Sequence, residues 1–165
     1  MLDDLLTWTK EHFGALFTAS DEEFERNFDS TYSERLEITI NGDKSTREQV
    51  KLKVLAMRAT ALSTQLEFRD MKKELKVSGG PYEEGTVHGS WTIIRFLRFA
   101  TRAAPPKMIK KIQFTAKIES DPSIEDDDKR RIVSLDEIVD EHLATTNVHP
   151  LVVPPKYTES WTRMR

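Results

Sequence analysis

Leu2, Leu5, Leu6, Trp8, Phe13, Leu16 and Phe17 recur at spacings near three and four, which predicts an amphipathic helix over residues 2 to 18. Ser20 opens the segment SDEEF. Its hydroxyl suits an N-cap, and Glu23, three residues on, completes a capping-box pattern. Phe24, Phe28 and Tyr32 then share one face at four-residue spacing, so a second, short helix is expected to end near Ser33. The period changes to two in Leu36, Ile38 and Ile40, which alternate with Arg35, Glu37 and Thr39 as in a half-buried strand. Asn41-Gly42 turns the chain, since both residues tolerate positive φ. Ser45 and Glu48 read as the cap and reciprocal partner of a third helix of about four turns. Val50, Val54, Leu55, Met57, Arg58 and Leu62 form its buried stripe.

The remainder is strand-rich. Leu66 and Phe68 alternate, then the phase shifts near Asp70 so that Met71, Leu75 and Val77 continue on the other parity, as a bulge would cause. Ser78-Gly79-Gly80-Pro81 and Ala104-Pro105-Pro106 are breaks. Between them GTVHGSWTIIRFLRF, residues 85 to 99, reads as a long strand with bulky residues on both parities, which implies cover on both faces. Met108, Ile112, Phe114, Ala116 and Ile118 alternate with Ile109, Lys111, Gln113, Thr115 and Lys117 in the next strand. RRIVSLDEIVDEH reads as a last short strand closing into a helical turn. Helices at the front and antiparallel strands behind predict an α+β fold, with the helices on one face of a sheet that a bulge allows to curl.

Composition adds bounds. The chain has 165 residues, 38% hydrophobic and 32% charged, which suits one globular domain with a charged surface. A net charge of -3 gives no basic surplus for a nucleic-acid partner. The run Glu125-Asp126-Asp127-Asp128 is nearly cancelled by Lys129-Arg130-Arg131 and reads as a solvated turn. There is no cysteine, so thiolate and disulfide chemistry are excluded and zinc would have only His and carboxylates. The acidic, amphipathic start is unlike a secretory signal, and no apolar run reaches the roughly 18 residues of a spanning helix. A cytoplasmic protein without a membrane partner is therefore expected.

Two stretches, FERNFDSTYSERLEITINGDKSTREQVKL and RRIVSLDEIVD, together with the order of elements, resemble the nuclear-transport-factor-2-like superfamily, which includes SnoaL-like and ketosteroid-isomerase-like proteins. The resemblance covers residues 1 to about 142. It implies a cone, a strongly curved mixed sheet wrapped around the long third helix behind N-terminal helices (an α+β roll of the cystatin-like kind). It also implies a pocket, and often a homodimer built on the outer sheet face. Residues 143 to 165 follow the expected end of the cone. Their prolines forbid helix, and Leu151, Val152, Val153, Tyr157 and Trp161 are too apolar for a free tail, so an extension packed on the body or on a dimer partner is expected.

The fold hosts many reactions, so the site must be argued from residues. The resemblance to the ketosteroid-isomerase branch implies an aspartate base on the first strand, where this chain has Thr39, with Glu37 two residues away. The acid expected on a later strand falls near Phe114 or Thr115, and two of the three roles look vacant. The scytalone-dehydratase branch uses histidines with an aspartate and tyrosines, and His88 is the histidine found in the predicted sheet. The candidate acid–base groups are thus His88, Tyr32 and Glu37, with Asp70 a further one. The candidate ligand contacts are Tyr32, Phe28, His88, Trp91 and Phe114. His88 shares parity with Ser90 and Thr92, which equally suits a surface place. His142 and His149 lack metal-ligand spacing, and no phosphate loop, dinucleotide fingerprint, zinc-helix motif or nucleophile elbow is found. No metal or cofactor is expected. The vacant roles favour a protein that binds a small apolar ligand or a protein partner. The alternatives are an isomerase, dehydratase or cyclase using His88 and Tyr32, and a transport or scaffold adaptor.

Overall fold

Asn41 and Gly42 both have positive φ, 52° and 84°, a region that costs these two residues little. They join β1 (Tyr32–Ile40) to β2 (Asp43–Ser45) in a hairpin with Ile40 opposite Asp43. This computed structural model describes residues 4–76, 80–98 and 106–144. The extension expected beyond the cone lies outside the described residues from position 145 onward, as do the Ser78-Gly79 and Ala104-Pro105 portions of the two breaks.

Thr46 caps α3 (Arg47–Thr60) and forms a full capping box with Gln49. The sequence points to Ser45 and Glu48, one residue earlier. Ser45 is held opposite Ile38 in the hairpin, so its backbone still belongs to the strand. Two helices precede the hairpin, α1 (Leu5–Thr18), capped by Asp4, and α2 (Asp21–Thr31). Ser20 occupies the N-cap of α2 but makes no side-chain cap bond. Asp21, Glu22 and Glu23 in the first turn instead place negative charge at the positive end of the helix dipole.

Four long strands follow: β3 (Ala61–Lys76), β4 (Glu84–Leu97), β5 (Lys107–Ser120) and β6 (Arg130–Ala144). The sheet order is β2-β1-β6-β5-β4-β3, with β1 and β6 parallel and the other neighbours antiparallel. The bulge expected near Asp70 is present: register shifts between Arg69 and Lys72, and Asp70 has φ 54°. The end of β6 differs from expectation. It stays extended to Ala144 because β5 supplies ladder partners as far as Lys107. Pairing across the sheet overrides the local helical look of IVDEH.

The concave face carries the core. Trp91 on β4 stacks on Phe13 of α1 at 4.8 Å and on Phe68 of β3 at 5.3 Å. Val50, Val54 and Met57 bring α3 against the same cluster. Arg130 is 1% exposed and binds Asp128 through two nitrogens. Its guanidinium lies over Trp8 and Tyr82, which ties the loop before β6 to α1.

Candidate functional site

Strand alternation decides which side chains enter the concavity. On β5 the buried set is Lys110, Ile112, Phe114, Ala116 and Ile118. On β6, Leu135, Glu137 and Val139 share one parity, and on β4 the buried set is Val87, Trp91, Ile93, Arg95 and Leu97. The register aligns Trp91, Ile112 and Val139 in one row, with Ile93, Lys110 and Glu141 in the next. Glu137 stands opposite Phe114 on the far side of the first row. α3 covers these rows with Val50, Val54 and Met57.

These elements enclose a cavity of about 40 Å³. It is lined by Leu16, Phe17, Tyr32, Ile40, Val50, Lys53, Val54, Met57, Trp91, Ile93, Lys110, Ile112, Glu137 and Val139. The space holds a few waters, far less than the several hundred Å³ of a pocket for a large ligand. Among the described residues, this part of the cone is almost filled. Lys53 is exposed and marks its opening to solvent.

Glu137, Lys110 and Trp91 in this lining are poorly partnered among the described residues. The Glu137 carboxyl makes no hydrogen bond or ion pair among the described residues, and burial pushes its pKa up to about 7, with Lys110 and Lys53 acting against that rise. Lys110 is 9% exposed, and among the described residues its Nζ is within hydrogen-bonding reach of Met57 Sδ alone, at 3.8 Å. Burial lowers its pKa, against the pull of Glu137 and Glu141. Trp91 Nε1 is buried without an acceptor. Burial, and then the charge of Glu137, raises the pKa of Tyr32, so its phenol stays neutral. Arg95, at the edge of the site, donates from its terminal nitrogens to Thr60 Oγ1 at 3.0 Å and Glu141 at 3.4 Å, while its buried Nε has no acceptor among the described residues. Chemically, the arrangement offers one carboxyl able to exchange a proton near neutral pH, one buried amine and one neutral phenol inside an apolar shell.

The sequence candidates divide between two faces. Tyr32 and Trp91 line the cavity. Phe28 is fully buried beneath Arg47 and Lys51, with its ring 4.9 Å from that of Tyr32, and supports the site from behind. Phe114 is buried edge-on against Phe13 at 5.2 Å. His88 stands on the outer face of β4, 3.2 Å from both Thr115 Oγ1 and Glu74 Oε2. It shares a shallow outer groove with Asp70, Ser90 and Asp136. Glu37 is exposed and lines an outer groove with Lys44 and Ser134. The reason is parity, since His88 lies between the inward residue Val87 and Gly89. His142 joins His88 as a strand histidine, 3.8 Å from Asp140. Among the described residues, no group of three or more His, Asp or Glu is arranged to hold a metal.

Sequence reasoning missed Lys110 and Glu137. The signal was present: Lys110 shares parity with Ile112 and Phe114, and Glu137 with Leu135 and Val139.

No protein-family model matches the chain, and no curated protein matches it. Solved structures do. The hexachlorocyclohexane dehydrochlorinase LinA-type3 from Novosphingobium barchaimii LL02 is similar at TM-score 0.51 and 11% identity, over 87% of this chain and 90% of that one. A putative scytalone dehydratase from Novosphingobium aromaticivorans DSM 12444 is similar at TM-score 0.50 and 11% identity, over 87% of each chain. The C. albicans Mtr2–Mex67 M domain complex contains a chain similar at TM-score 0.50 and 14% identity, over 82% of this chain and 93% of that one. At these identities the likeness is one of fold.

Proposed function

Given a nuclear-transport-factor-2-like cone, we propose that the chain binds a small, largely apolar molecule carrying one polar group, which enters beside Lys53 and places that group near Glu137, Lys110 and Tyr32. One observation carries the reading: the Glu137 carboxyl stands in an apolar cavity without a partner among the described residues. A fully buried polar group left unpaired costs about 1–3 kcal/mol, and a ligand's polar end recovers the part of this that the half-buried Glu137 bears. The cavity's size selects a narrow ligand, with its remainder toward solvent. Thermal-shift and ligand-observed NMR screening with short-chain alcohols, ketones and acids tests this. Binding to the wild type that Trp91→Leu weakens supports the reading; no binding at millimolar ligand counts against it.

A second reading, proton-transfer catalysis in the cone, is favoured by the Glu137 pKa of about 7. A general acid or base works best with a pKa near the working pH, and the neutral Tyr32 phenol would donate to a developing oxyanion. Turnover of any substrate should then be lost in Glu137→Gln and unaffected by His88→Ala. The solved neighbours include both a dehydrochlorinase and a chain of the Mtr2–Mex67 M domain complex, so the fold chooses neither catalysis nor binding.

A homodimer through the outer sheet face belongs to the same proposal. Ile94 and Ile109 stand opposite each other on that face, and Ile138 is 60% exposed there. A second copy would cover them.

A further inference from the structure

Lys110 departs from the rule that buried charges are paired. It is about nine-tenths buried, it lines the cavity, and the Met57 sulfur is its contact at 3.8 Å. Its facing neighbour in the ladder is Glu141, whose carboxylate is 3.4 Å from Arg95. Glu137 does not supply the missing anion, because it lies two ladder rows away, beyond the Ile112–Val139 pair, and no ion pair joins the two. Lys53 adds a second cation at the opening, and it too has no ion pair among the described residues. The cavity therefore holds two lysines without an ion pair among the described residues and one carboxyl, and burial disfavours the charged form of both Lys110 and Glu137.

We infer that the polar group of the ligand is a carboxylate, seated over Ile112 and Val139, held by Lys110, with Lys53 at the entrance. This rests on the ligand-binding reading above. A volume of about 40 Å³ suits a three-atom headgroup and not a bulky one. Glu137 in its protonated form faces the same space and adds an O–H donor to a second carboxylate oxygen. Charge-assisted bonds of this kind are about twice as strong as neutral ones, and stronger still where water is excluded. The apolar body of the ligand then runs from the Trp91 row past Met57 toward Lys53. The expected class is a short aliphatic or aromatic monocarboxylate.

The experiment compares hexanoate with 1-hexanol by titration calorimetry on the full chain, in the wild type, Lys110→Met and Lys53→Ala. Lys110→Met keeps the side-chain volume, and Lys53→Ala alters an exposed position, so at least one variant stays folded; circular dichroism checks both. The expected result is hexanoate binding about tenfold or more tighter than 1-hexanol. Lys110→Met should abolish that preference by weakening hexanoate far more than 1-hexanol, and Lys53→Ala should reduce it. Equal or tighter binding of 1-hexanol to the wild type overturns the carboxylate inference and leaves the ligand-binding reading standing. A preference for hexanoate that survives in both variants also overturns it. Binding of neither compound overturns both.

Discussion

Lys110 and Glu137 reach into one cavity from adjacent strands without pairing, because the register of β5 and β6 inserts Ile112 and Val139 between them. Opposite charges on neighbouring strands ordinarily pair when they stand directly across. Here Lys110 stands across from Glu141, which Arg95 engages, and Glu137 stands across from Phe114. The offset leaves two ionisable groups and a small apolar gap in the cone, and the functional reading follows from that gap.

Glu137 should make stability depend on pH. Its pKa is about 7 in the folded chain against an ordinary value of 4.5, so between these values the folded state binds more protons than the unfolded one. Its contribution is full below about pH 4.5 and is lost as pH rises through about 7. The loss is on the order of 2 kcal/mol, since each pKa unit is worth about 1.4 kcal/mol and the side chain is partly exposed. Urea melts at both ends of this range should show Glu137→Gln losing less stability than the wild type as pH rises.

Trp91 should dominate the core. Its indole lies between Phe13 and Phe68 and also meets Phe17 edge-on at 6.0 Å. Trp91→Ala should cost about 3–5 kcal/mol in chemical denaturation. Trp91→Phe should cost much less, since it keeps a ring in the stack and removes the unpaired Nε1.

Asp128 should matter more than an exposed loop carboxylate would. It holds the buried Arg130 guanidinium through both carboxylate oxygens. Asp128→Ala removes the two-oxygen carboxylate grip on that buried cation, an expected loss of about 3–5 kcal/mol. Asp127→Ala, on the adjacent residue, serves as control and should change stability by less than about 0.5 kcal/mol.

Gly85 has φ 154°, and a Cβ there would run into the Glu74 carbonyl oxygen across the β3–β4 ladder. Gly85→Ala should lower the melting temperature by several degrees, the size expected for about 1–3 kcal/mol of backbone strain.

The outer sheet face gives a separate test. Ile138→Glu should lower the solution mass from dimer to monomer if a second copy covers that face. A wild type that is already monomeric removes the homodimer from the proposal.

The sequence carried the frame well and the site poorly. Asn41-Gly42, the phase shift at Asp70 and the alternation from Ile112 to Ile118 are local signals with local causes, and the hairpin, bulge and strand stand where those signals put them. The β6 strand was misread because its last residues are extended only by virtue of β5. Tyr32 and Trp91, offered as ligand contacts, do line the cavity, each among apolar neighbours of its own face. His88 drew attention for its chemistry, although its parity with Ser90 and Thr92 already pointed outward. Lys110 and Glu137 were hidden for the opposite reason: a charged residue on an apolar parity looks like noise until the neighbouring strands show both facing one cavity.

The most direct test is a ¹³C NMR titration of the Glu137 side-chain carboxyl, assigned by comparison with Glu137→Gln. The expected midpoint is near 7, the mark of a half-buried carboxyl in an apolar lining with no partner among the described residues. A midpoint near the ordinary 4.5 would show Glu137 to be solvated or paired and would contradict the cavity reading on which the proposed function depends.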